Sequence, residues 1–127
     1  MQNNIKERTF SFAVKIVQYV RTMPKGQIGY VLGTQLLRSG TSIGANVEEA
    51  LGAKSRKEFI NSMNIAKREA RETRYWLKLL QEAAVGTSSI CEELLREAEV
   101  ITRILTAIVK TSQRNSSGRL ILTTHNP

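Results

Sequence analysis

Apolar residues recur at helical spacing along most of the chain, and short polar breaks bearing glycine or proline divide the pattern into four segments. The sharpest segment holds Phe59, Met63, Ala66, Ala70, Thr73, Leu77 and Leu80, spaced 4-3-4-3-4-3 on one face of a helix over about 55–84. Ser55-Arg56-Lys57-Glu58 opens it as a capping box, in which the Ser55 hydroxyl accepts the backbone N–H at Glu58 and Glu58 reaches back. Upstream, Phe10, Ala13, Val17 and Val20, widened by Val14 and Ile16, mark the inner face of a helix over about 5–22. Met23-Pro24-Lys25-Gly26 ends that helix, and the connection is short enough for the next to return antiparallel. Leu32, Leu36, Ile43 and Val47 give the inner face of the second helix, over about 29–53. After Leu80, Ala83 to Ser88 reads as a turn, with Gly86 available as a C-terminal cap. Ser89-Ile90-Cys91-Glu92 is a second capping box, and Leu94, Ala98, Ile101, Leu105 and Ile108 carry the seam of a helix over about 89–113. Residues 114–127 read as a mobile tail with one apolar island, Leu120-Ile121-Leu122. The pattern predicts an all-α fold, an antiparallel up-down four-helix bundle over residues 1–113.

The second segment is weak in its middle. Ser39-Gly40-Thr41-Ser42-Ile43-Gly44 holds two glycines, each costing roughly 1 kcal/mol relative to alanine in a helix interior. Propensity alone splits the helix there, with Ser42 capping a second piece. Gly40 and Gly44 lie four apart on one face, however, where small residues admit a close neighbour, and one long helix, bent at this point, is preferred. Asn46 and Glu49 follow on the side of Ile43. They read either as an exposed polar face or as a buried or interfacial polar pair, reached by Arg38 of the same or another subunit, that fixes register. Trp76 lies off the third seam and is expected to pack at its edge or against another subunit rather than stack on a base. Segments two and four look apolar over more than one face, with Leu95, Ile104 and Val109 widening the fourth. A single domain of 127 residues cannot bury all of that alone, so a homo-oligomer is expected.

Charge changes this picture. Lys and Arg number 19 against 11 Asp and Glu, for a net charge of +8 and a pI near 10.1, a balance that favours nucleic acid or other anionic surfaces. The excess is regional: residues 1–28 hold five basic groups against one acidic, residues 54–78 eight against three, and residues 90–113 three against four. Lys67, Arg71, Arg74 and Lys78 repeat the 4-3-4 spacing one position beyond the third seam. With Lys54, Arg56 and Lys57 at the helix start, they form the candidate nucleic-acid-binding set. The bland alternatives are a solvated face, or salt bridges to Glu92, Glu93, Glu97 or Glu99 on the fourth helix of a neighbouring subunit. Neither an aromatic-studded sheet nor a recognition helix after a tight turn is legible, so contact would run through phosphates and depend steeply on salt.

Catalytic patterns are missing. There is one His and one Cys, no Glu-x-x-His pair, and no glycine-rich loop followed by Lys, so no enzyme, metal site or cofactor is expected. Cys91 has no partner for an intrachain disulfide; the dipole at its helix start would lower its pKa, although a thiol without a nearby His is expected to be inert. No apolar run approaches the ~18 residues of a membrane span, and the first eight residues lack the apolar block of a signal peptide. A cytoplasmic location is expected.

Gln35-Leu36-Leu37-Arg38-Ser39-Gly40-Thr41-Ser42-Ile43-Gly44-Ala45-Asn46-Val47, then Glu49-Ala50, Ser55-Arg56-Lys57-Glu58-Phe59 and Tyr75-Trp76-Leu77 resemble the four-helix-bundle protein family that includes proteins encoded by intervening sequences within bacterial 23S rRNA genes. The resemblance spans about Phe10 to Lys110. It implies an antiparallel four-helix protomer, assembly as a homopentamer, a basic surface and no established chemistry. Ala50 departs from the glycine many members carry there, and Lys67 to Ala70 is more charged than the family's small-residue run. Two functions follow. One is non-specific binding of RNA or an RNA–DNA hybrid. The other is a structural adaptor that recruits a protein partner, as similar bundles do as accessory factors to reverse transcriptases in diversity-generating elements.

Overall fold

The computed structural model describes the backbone of residues 2–125 and the side chains of residues 5–115. Over that range every element is a helix and there is no strand: α1 is Gln2–Arg21, α2 Gln27–Leu51, α3 Arg56–Glu82 and α4 Ser88–His125. Backbones approach along α1–α2, α2–α3, α3–α4 and, least closely, α1–α4, while neither diagonal pair approaches. Four helices therefore close around one core.

In α3 the seam is as the spacing predicts. Met63, Ala66, Ala70, Thr73, Leu77 and Leu80 are buried, and Phe59 packs half-buried against them. Ser55 is the N-cap, its Oγ accepting the Glu58 N–H at 3.1 Å, and Glu58 accepts the Lys54 N–H at 3.0 Å rather than that of Ser55. The far end closes without Gly86. Ala84, at φ 56, turns the chain while its N–H bonds Gln81 O and the Val85 N–H bonds Leu80 O, the paired return of a Schellman cap.

α2 is one unbroken helix, and its glycines explain why. Gly29, Gly33, Leu36, Gly40, Ile43, Val47 and Ala50 form its buried seam, again spaced 4-3-4-3-4-3. A Cβ on Gly40 would stand 2.9 Å from the Ile16 side chain, and one on Gly44 3.3 Å from the Thr9 carbonyl oxygen. The absent side chains admit α1, and packing that helix offsets the propensity cost of the glycines.

The expected inner face of α1 is wrong. The buried seam is Ile5, Thr9, Phe12, Ile16, Tyr19 and Met23, whereas Phe10, Val14 and Val17 are exposed. Thr9 tolerates full burial because its hydroxyl donates to the Ile5 carbonyl at 2.8 Å.

α4 starts at Ser88, so Ser89 lies inside the first turn rather than at a cap. Its seam runs Cys91, Leu94, Ala98, Ile101, Leu105 and Val109, leaving Ile108 half-buried beside it. Leu95 and Ile104 also pack half-buried against the core, so the wide apolar arc of α4 is largely used within the protomer. Most of the unused apolar surface lies on α1 and α2 instead. α4 stays helical past residue 113, where the pattern ends the bundle; the side chains of Leu120, Ile121 and Leu122 lie outside the described residues.

Candidate nucleic-acid interface

The core of α3 decides which of its flanks meets solvent. One flank faces α2: Arg38 pairs with Glu72 and, at 3.4 Å, with Glu69, and Trp76 Nε1 donates to Glu72 at 3.0 Å. The Trp76 N–H and then the Arg38 guanidinium hold the Glu72 carboxyl below the usual carboxylate range. Trp76 thus sits half-buried at the edge of the seam, its ring meeting Tyr75 edge to face with centroids 5.0 Å apart. Both acidic residues in the middle of α3 are turned to this side.

The other flank carries the cations. Arg71, Arg74 and Lys78 are exposed and Lys67 is half-exposed, and none of the four pairs with a carboxylate among the described residues. Lys67 to Lys78 covers about 16 Å at 1.5 Å per residue. At the helix start, Lys54 and Lys57 are exposed and Arg56 is half-buried. Arg56, Lys67, Arg74 and Lys78 are spaced 11-7-4 and so share one line on the flank. Lys57 lies on the outermost face with Arg68, an exposed cation that the stripe pattern passed over because it falls between the 4-3-4 positions.

Two of the acidic residues that could neutralise this flank from a neighbour's α4 already have partners within the chain. Glu97 takes both Arg8 Nε at 2.6 Å and Arg8 Nη2 at 3.1 Å, tying α1 to α4, and Glu92 lies 3.6 Å from Arg96. Glu93 and Glu99 remain without an ion-pair partner among the described residues.

The second predicted set is not brought together within the chain. Arg38 reaches α3, as above. Asn46 instead donates back to Ser42, at 2.9 Å to its carbonyl and 3.2 Å to its hydroxyl, and Glu49 is exposed. Arg38 and Glu49 stand eleven residues apart on α2, about 16 Å along the axis.

Cys91 has the inert character expected of it, through burial that outweighs the dipole. It is buried, its thiol donates to the Leu77 carbonyl at 3.2 Å, and burial raises its pKa where the helix dipole alone would lower it. Among the described residues no group of three or more His, Cys, Asp or Glu could hold a metal ion, and no helix is long and apolar enough to cross a membrane.

Four long helices with a cationic flank on the third define a basic four-helix bundle. The chain belongs to the 23S rRNA-intervening sequence protein family, whose model matches residues 1–107. A solved structure from Bacteroides thetaiotaomicron VPI-5482, described as a protein with unknown function from the S23 ribosomal protein family, is 42% identical. It matches with a TM-score of 0.80 over 86% of this chain and 97% of that one. No curated protein matches the sequence.

Proposed function

We propose that this protein is a non-enzymatic, cytoplasmic RNA-binding bundle, an antiparallel up-down protomer that works as a homo-oligomer and holds RNA through phosphate contacts along α3. The observation that carries this reading is the flank of Lys67, Arg71, Arg74 and Lys78, four cations without a carboxylate partner among the described residues, on the side of α3 that faces away from Glu69 and Glu72. Facing pairs support the antiparallel path: on α1 and α2, Gly40 meets Ile16 and Gly44 meets Thr9, so numbers rise on one helix as they fall on the other. The family's link to 23S rRNA genes supports RNA as the polyanion. Five subunits is the number the family resemblance implies.

A stripe of point charges reads no bases, so affinity should be nearly independent of sequence and fall steeply with salt. Exchanging Lys67, Arg71, Arg74 and Lys78 for Gln removes up to four phosphate contacts. The slope of log affinity against log salt should then flatten by about 0.7 per contact on single strands. Filter binding of unrelated RNAs across a salt series measures this, with circular dichroism and light scattering as controls. If the four-fold variant loses its assembly before its RNA, the flank serves subunit contacts and the proposal fails. The adaptor reading is favoured if wild-type protein retains no RNA at low salt.

A further inference from the structure

A cleft of about 650 Å³ opens where the α2–α3 connection, the start of α3 and the later part of α4 converge. This volume is in the range of small-molecule sites. Its floor is apolar, formed by Phe59, Ala107 and Ile108. Ile108 is available because the α4 seam steps from Leu105 to Val109 and leaves it half-buried at the edge of the core. Lys54 and Arg56 stand at one side, and neither pairs with a carboxylate among the described residues. Arg56 Nε is buried without a hydrogen-bond partner among the described residues. A buried guanidinium N–H left without an acceptor is costly, so a small shift of the Arg56 side chain toward an anion in the cleft would be favourable. Ser112 and Asn115 complete the rim with neutral hydrogen-bonding groups.

We infer that this cleft binds a phosphate monoester carrying a nucleobase, with the phosphate on Arg56 and Lys54 and the flat base over Phe59 and Ile108. The pairing of fixed positive charge with an apolar floor selects a ligand that is anionic at one end and flat and apolar at the other. Arg56 also shares its line with Lys67, Arg74 and Lys78, so the cationic flank of α3 leads to the mouth of the cleft. Two sources carry this chemistry: a free mononucleotide, or the 5′-phosphorylated end of a strand lying along the flank. The second source rests on the RNA-binding reading above; the first does not.

The test is calorimetric titration of adenosine 5′-monophosphate into the full chain. Saturable binding with one site per chain is expected, with adenosine at least about tenfold weaker, since it lacks the charge-assisted contacts. Arg56→Gln, and independently Lys54→Gln, should each weaken binding by about tenfold, while Lys15→Gln on α1 leaves it unchanged. Melting curves identify a variant that fails to fold, in which case the other decides. Displacement of the nucleotide by a short RNA then separates the sources: a 5′-phosphorylated strand outcompeting its 5′-hydroxyl twin assigns the strand end, and equal competition assigns the free nucleotide. Absence of saturation at millimolar nucleotide, or equal binding of adenosine and its monophosphate, overturns the proposal. RNA retention without nucleotide binding would sink the cleft alone, whereas nucleotide binding without RNA retention would sink the α3 interface alone.

Discussion

Ala84 holds a left-handed conformation at φ 56, the one non-glycine residue to do so among the described residues. An L-residue with a Cβ is strained there by roughly 1–2 kcal/mol, and the Schellman bonds to Leu80 and Gln81 hold it in place. Ala84→Gly removes the clash and costs part of the gain through a freer unfolded chain. The expected net effect is stabilisation by about 0.5–1 kcal/mol, read as a higher urea midpoint with an unchanged slope; a lower midpoint would show that the cap carries no strain. Two buried groups, Tyr19 on α1 and Cys91 on α4, give a pH dependence. Burial raises the Cys91 thiol above its ordinary 9.0 and the Tyr19 hydroxyl above its ordinary 10.0. Both groups are neutral when protonated, so the folded state holds these protons more tightly than the unfolded chain. The stability they contribute is complete below about pH 9 and is lost as pH rises through their folded values. Melting temperature should therefore decline above pH 9 in the wild type, and a Cys91→Ala, Tyr19→Phe pair should decline less. Identical declines would assign the alkaline loss to other groups.

At the level of single helices, legibility tracked how many patterns a segment offers. α3 has one apolar face, and its seam could be read directly from Phe59 to Leu80. α1 has two that both follow 3-4 spacing. Phe10, Val14 and Val17 make one that is wholly apolar but only about two turns long, while the buried face, from Ile5 to Met23, is longer and is broken by the polar Thr9. The choice is made by α2, whose glycines fit Ile16 and Thr9, and a helix read alone carries no record of its neighbour. The cationic flank was legible for the same reason as the α3 seam, being defined relative to it. The cleft was not: it depends on Ile108 falling off a seam that continues at Val109. Between α2 and α3 a polar contact sets the register. Thr73 Oγ1 stands 2.9 Å from Ser39 Oγ and 2.8 Å from the Glu69 carbonyl, and both residues are 0% exposed. Thr73→Val leaves Ser39 with only a 3.4 Å contact to the Leu36 carbonyl and should cost about 1–2 kcal/mol. Adding Ser39→Ala removes the orphaned hydroxyl and should recover most of that loss. A double-mutant cycle by urea unfolding measures the coupling, and purely additive losses would refute it.

For the whole molecule, the distribution of unused surface separates two faces. Lys6 on α1 lies 3.8 Å from Glu48 on α2, which marks one flank of each helix. Helical spacing carries that flank from Lys6 to Phe10 and Val17 on α1, and from Glu48 to Thr41, Leu37 and Tyr30 on α2. Phe10 is 67% exposed, and Val14, Val17, Leu37 and Tyr30 are exposed beside it. Exposed apolar side chains grouped in this way are the surface through which the proposed oligomer would assemble. The cationic flank of α3 lies on the side of that helix turned from α2, so assembly through the α1–α2 face would leave it open to RNA. Subunit contact and phosphate contact are then separable by mutation. Phe10→Asp with Val17→Asp should leave helicity and melting of the protomer nearly intact, since both side chains already meet water, and should dissociate the assembly to monomers in light scattering. RNA affinity should drop with it, because each oligomer multiplies the stripe, while the intrinsic contact per protomer persists. A wild-type monomer at micromolar concentration would remove the assembly altogether, and an oligomer untouched by both aspartates would move its interface off the α1–α2 face.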